Sequence, residues 1–295
     1  MELRRRIVDS FNGKWMLISL IILFILPLVI GTGLYLKSIP LLEHHSLRQL
    51  VFSTNWAPSR SSFGFWSFIS GSLYVTLISF LLSLPFCLFA AIYLTQFSSR
   101  FLLRIMHPVI DILSGLPSVI YGVWGILIVV PFIGDYLAPA LGTTSTGYSV
   151  LAGGSVLAVM CIPYSLNMLI EIFRTVPCGL REASLSLGAT SWEAVKHVVI
   201  RGNYPGIIAA FGLGIAKAFG ETIAVMMVVG NVVSNSFNPL DPAYPLPALI
   251  ANNYGEMLSI PLYDSALMFA ALVLFIIIVI INLIFRFLIH KTRKK

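Results

Sequence analysis

Long apolar runs separated by short polar segments dominate the pattern of this chain. A helix crossing a hydrocarbon core of about 30 Å needs about 20 mostly apolar residues. Six stretches qualify, approximately 15–36, 70–93, 109–133, 150–173, 205–229 and 265–288. The pattern predicts an all-α integral membrane protein with six transmembrane helices in a single membrane domain over residues 1–295. The first run follows Arg4, Arg5 and Arg6, as a secretion signal would. It is too long for one, and no small-x-small cleavage site follows Gly33, so it is expected to remain as an anchor.

Composition agrees with a lipid solvent. Of 295 residues, 58% are hydrophobic and 11% charged, where soluble domains carry about 25% charged residues. The net charge of +7 does not imply a nucleic-acid partner, because the basic residues sit in short runs between apolar stretches. With six spans and both termini inside, fifteen of the nineteen Lys and Arg fall on the cytoplasmic side, from Arg4 to Lys295. Only Lys37, Arg48 and Arg60 fall outside, and Lys217 lies within a span. That is the positive-inside bias of a membrane protein. Cys87, Cys161 and Cys178 show no paired spacing and read as small apolar fillers, neither disulfide framework nor zinc site.

Three connections are expected outside. Residues 37–68 carry Trp56, Trp66 and several Phe, and suit chain resting at the membrane interface; 134–148 is short and rich in Gly and Thr. Residues 231–264 hold Pro239, Pro242, Pro245 and Pro247, then an amphipathic piece at 249–258. Two connections are expected inside, near 98–107 and 174–203.

The second internal connection carries the most information. Pro177 suits the start of a helix and Gly188 its C-terminus. Thr190 and Glu193 have the T-x-x-E spacing of a capping box. Trp192, Val195 and Val199 then give a second helix one apolar face. An exposed apolar face of this kind needs a partner to cover it.

These residues resemble a known family. Glu182, Ala183 and Ser184, then Gly188, then Val198-Val199-Ile200 are similar to the EAA loop of ABC importer permeases, with Ser184 in place of the second alanine and Arg201 in place of the terminal proline. The resemblance extends to phosphate permeases of the PstC type through SGLPSVIYGVWG at 114–125, GIAKAFGETIAVMMVVGN at 214–231, and the W-A-P, F-G and I-S-G-S pieces within 55–72. It implies the type I importer core over about residues 70–290, preceded by the N-terminal helix and an external loop. It further implies a second permease subunit of the PstA type, two cytoplasmic ATPase subunits and an external phosphate-binding protein. The 182–188 segment would be the loop that docks on the ATPase. The setting implied is a bacterial inner membrane. ATP and Mg would be held by the ATPase and no cofactor by this chain, which has no G-x-x-x-x-G-K-[ST] loop.

Lys217 lies twelve residues past Pro205, about 18 Å along a helix and near mid-membrane. A lysine there costs about 2.5–3.5 kcal/mol unless it finds a partner or water. Glu221, four residues on, is expected to supply the partner. Two readings follow: a salt bridge that fixes packing, or a pair bordering an anion path, with Lys217 offering charge and Glu221 restraining it. The family usually has arginine at this position, and lysine acts as a point charge where arginine is a fork. Ser114, Ser118 and Tyr121 could offer hydroxyls to the anion, although serine within a span commonly bonds its own helix. Asp111 is expected to be solvated or paired locally. The runner-up within the class is a permease of an importer for another oxyanion or small solute. An ion-coupled secondary transporter using Lys217 and Glu221 is the rival from a different class. It would favour internal repeats and broken helices at matching positions, which the sequence does not display.

Overall fold

The computed structural model describes residues 2–255, 260 and 262–293. Lys294, Lys295 and the end of the amphipathic 249–258 stretch therefore lie outside the described residues. The chain opens with α1 (Glu2–His44) and α2 (Leu47–Phe52), followed by α3 (Trp66–Ile92), which widens into a π turn at Tyr93–Phe97. Then come α4 (Arg100–Gly115), α5 (Ser118–Trp124) and α6 (Ala138–Ala140), the last two joined by wider turns at Gly125–Val129 and Phe132–Leu137. The fourth span is α7 (Val150–Arg174). The loop helices α8 (Cys178–Ser186) and α9 (Ser191–Ala194) precede a π turn at Val195–Ile200. The remainder is α10 (Tyr204–Phe219), α11 (Ile223–Val228), α12 (Leu246–Asn253) and α13 (Tyr263–Arg293).

No strand occurs among the described residues. Among the described residues, five helical stretches are long and apolar enough to cross a membrane: Phe11–His44, Trp66–Phe97, Ser118–Ala140, Val150–Arg174 and Tyr263–Thr292. A sixth arises from Ser191–Ile200 and Tyr204–Phe219, a pair bent by 72°.

Two of the six expected spans are interrupted. The 109–133 run breaks at Leu116 and Pro117, because proline has no N–H to donate and holds its predecessor extended, here at φ −66° and ψ 134°. The 205–229 run breaks at Gly220–Thr222, between α10 and α11. The expected external connection 134–148 also shortens, since helix continues through Ala140. Trp56 is half-buried and packs edge-on against Phe63, Phe65 and Phe68. This cluster joins the start of α3 to the start of α13 through Tyr263.

At the centre, α3 and α7 form the most extensively packed pair. Small residues make that approach possible. A Cβ at Gly154 would lie 2.5 Å from Ile78 Cγ2. The two motifs flanking the breaks also lock together. A Cβ at Gly122 would lie 2.5 Å from Met227 Sδ, and one at Gly125 would lie 2.7 Å from Val228 Cγ1. Cys87 and Cys161 are buried fillers as expected, whereas Cys178 is exposed at the start of α8.

Candidate functional site

The break after α10 places the intramembrane charges. The last turn of α10 tightens, with Gly220 N–H donating to Lys217 O and Glu221 N–H to Ala218 O, both at 3.2 Å. Glu221 therefore lies beyond the helix, and the four-residue spacing no longer sets it against Lys217. Among the described residues the ion pair formed is Arg174–Glu171, at 3.1 Å; none joins Lys217 to Glu221. The expected salt bridge is absent. Instead the Lys217 ammonium stands 4.5 Å from the centroid of the Tyr164 ring on α7. Sequence reasoning missed Tyr164, because its pairing with Lys217 depends on how α7 and α10 pack. Such a cation–π contact restrains an ammonium without cancelling its charge. Lys217 is exposed on the surface of this chain and Glu221 half-buried. An unneutralised lysine at membrane depth faces water or a partner, because lipid would not tolerate it.

The hydroxyl candidates divide. Tyr121 is buried and donates to Leu113 O at 2.6 Å, so it bridges the α4–α5 break. Ser114 donates to Asp111 O at 2.9 Å, within its own helix. Ser118 is half-buried at the first position of α5, and its hydroxyl makes no hydrogen bond among the described residues. Asp111 has a local partner across helices, accepting from Asn167 Nδ2 at 3.1 Å.

The internal loop folds as a helix, a glycine turn and a second helix. Gly188 has φ +89°, a conformation that needs glycine. The Thr190–Glu193 capping box is complete in both directions. The hydrogen bonds from the Thr190 backbone and hydroxyl hold the Glu193 carboxyl below its usual range. The expected apolar face is divided by the π turn at 195–200. Val195 and Val199 are buried against the spans, while Trp192 points outward. Without the family's terminal proline the helix ends at Asn203, whose N–H and side-chain Nδ2 both donate to Val199 O. Leu180, Leu187 and Trp192 together leave apolar surface on the loop uncovered, with Leu187 89% exposed. Glu182, Ala183 and Gly188 are exposed beside them and Ser184 is half-buried. On the inner side of α8, Arg181 Nη2 donates to Gln96 O at 3.3 Å, tying the loop to the π turn at the end of α3.

A multi-helical membrane domain with broken spans, an intramembrane cation and an uncovered apolar loop defines a transport subunit. Residues 83–294 match the family of binding-protein-dependent transport system inner membrane components, and the chain belongs to that family. It is 36% identical over 258 residues to the phosphate transport system permease protein PstC of Xylella fastidiosa strain Temecula1, covering 83% of this chain and 79% of that protein. It is 35% identical to the probable ABC transporter permease YqgH of Bacillus subtilis, over 81% of this chain and 77% of that protein. With the probable PstC of Methanocaldococcus jannaschii it shares 31% identity over 96% of this chain and 95% of that protein. Among solved structures, a chain of the inward-facing MetNI methionine ABC transporter superposes with a TM-score of 0.55 at 20% identity, over 78% of this chain and 94% of that one. The fold is thus that of an ABC importer permease. Permeases of this family are multi-pass membrane proteins that work with an ATPase and a binding protein.

Proposed function

We propose that this chain is a membrane-spanning permease subunit of an ATP-driven importer for inorganic phosphate. The identity to several proteins named as phosphate permeases supports the substrate. The observation that carries the mechanism is the exposed Lys217 ammonium, held over Tyr164 at the broken span and not paired with Glu221. Lys217 offers a fixed positive charge to the passing anion, with Ser118 and Tyr121 lining or bracing the adjacent break. Glu221, just past the end of α10, restrains Lys217 when a rearrangement of the break brings the two together.

Phosphate import into a negative interior is uphill by about 2.3 kcal/mol per charge per 100 mV. The energy comes from two cytoplasmic ATPase subunits, which hold the ATP and Mg and grip the loop at Glu182, Ala183, Ser184 and Gly188. A second permease of the PstA type covers the exposed face, and an external phosphate-binding protein delivers the substrate. The chain sits in a bacterial inner membrane with both termini in the cytosol, and this permease itself carries out no hydrolysis. Closure of the ATPases rocks the two permeases and alternates access.

The test is phosphate uptake per assembled complex for Lys217→Gln, Glu221→Gln and the double variant. Lys217→Gln should cripple uptake and Lys217→Arg retain it. Full uptake by the double neutral variant would remove Lys217 from the path.

A further inference from the structure

The polar surface at Tyr164 continues along α7. Tyr164, Asn167, Glu171 and Arg174 recur at intervals of three and four residues, so they share one helical face. Ten residues separate the first from the last, a run of about 15 Å. α4 repeats the spacing with His107, Asp111 and Ser114. The two faces meet antiparallel. Asn167 Nδ2 donates to Asp111 Oδ1 at 3.1 Å, and Arg174 Nη2 meets His107 Nε2 at 2.6 Å.

The opposite face of α4 differs in kind. Phe101, Ile105, Val109 and Ile112 are all exposed and apolar, suited to lipid or a partner helix. Asp111, Ser114, Glu171 and Arg174 are equally exposed but polar. Charges beside a span are stable where the surface is wet or covered by polar groups. A polar seam therefore leads from the Lys217–Tyr164 contact to the end of α7 where the ATPase loop begins.

We propose that the inner half of the phosphate path runs along this α4–α7 seam, and that the Asp111–Asn167 bond is its gate. This rests on the reading of Lys217 as part of the path. In the bonded state the Asp111 carboxylate stands between Lys217 and the exit and repels an anion leaving the lysine. Movement of α4 away from α7 breaks the bond, withdraws the carboxylate and opens the seam. The hinge for that movement is the Leu116–Pro117 break between α4 and α5, which the Tyr121 bond to Leu113 spans.

The experiment uses the assembled transporter in vesicles, in a Cys178→Ser background that removes the exposed native thiol. Ser114→Cys and Ile112→Cys are treated with a charged, membrane-impermeant methanethiosulfonate from the side of the loop. Ser114→Cys should be modified several-fold faster than Ile112→Cys, and its modification should stop phosphate uptake. Equal rates, or modification without loss of uptake, would overturn the proposal. Asp111→Asn is the second arm, since it keeps an acceptor for Asn167 but removes the charge. It should raise ATP hydrolysis in the absence of binding protein, and an unchanged basal rate would exclude Asp111 as the gate. Lys217→Gln is scored separately. If it transports normally while Ser114→Cys is blocked by the reagent, the lysine reading fails and the seam stands.

Discussion

Replacing Gly188 by alanine tests whether the loop turn must keep its shape for coupling. At φ +89° the backbone is left-handed, and a Cβ there would meet nothing within 4 Å. The cost is therefore conformational, with no steric part. A left-handed residue other than glycine costs about 1–2 kcal/mol, which lowers the population of the observed turn by a factor of about 5–30. Gly142 is the matched control: it has φ +70°, it is equally open, and it lies on the opposite side of the fold in the connection after α6. Both substitutions should lower stability alike, so a thermal midpoint cannot separate them. The discriminating assay is phosphate transported per ATP hydrolysed in reconstituted complexes. Gly188→Ala should lower that ratio several-fold and Gly142→Ala should leave it unchanged. Equal ratios for the two variants would refute the assignment of this turn to coupling.

Three further outcomes are expected. Gly125→Ala places a Cβ 2.6 Å from Val156 Cγ2 and should cost about 1–3 kcal/mol of stability by overpacking, whereas Gly13→Ala, in open space within α1, should stabilise its helix by about 0.5–1 kcal/mol; thermal melts of the two in detergent give the comparison. Tyr121→Phe removes the bond to Leu113 O and should cost about 0.5–1.5 kcal/mol, with α4 becoming more accessible to hydrogen exchange. The Glu193 carboxyl is lowered by its bonds to Thr190, so its stabilisation of α9 is fully present above pH 4.5, its ordinary value, and is lost as pH falls through the lowered one. Hydrogen exchange at α9 should therefore stay slow down to that pH and quicken below it, while Glu193→Gln should show no such step.

Periodicity and length alone located the spans and the internal loop, since burial in lipid requires long apolar runs and caps follow from local backbone needs. Gly188 and the Thr190–Glu193 box were legible for that reason. The two breaks were harder to see. Pro117 stood in plain view inside a run that hydropathy treats as continuous, and Gly220–Thr222 carries no proline at all. The Lys217–Glu221 spacing suggested a pair because an unbroken helix was assumed, and the break cancels that assumption. Tyr164 and Asn167 lie more than fifty residues from their partners Lys217 and Asp111. Only the packing of α7 against α4 and α10 brings them together, and no local pattern encodes such a meeting.

The first helix has a consequence for how the protein meets its lipid. From Phe11 to Ile30 every side chain of α1 is exposed, whereas Ser38 and Leu41 are buried near its far end. The helix is thus packed at one end and exposed over its first part, like a boom on a mast. Its stretch of 34 residues spans about 50 Å, well beyond a bilayer's apolar thickness. A thicker or thinner bilayer is accommodated by swinging this boom to a new tilt. The packed core, where glycines leave side chains no spare room, keeps its arrangement while the outer helix adjusts.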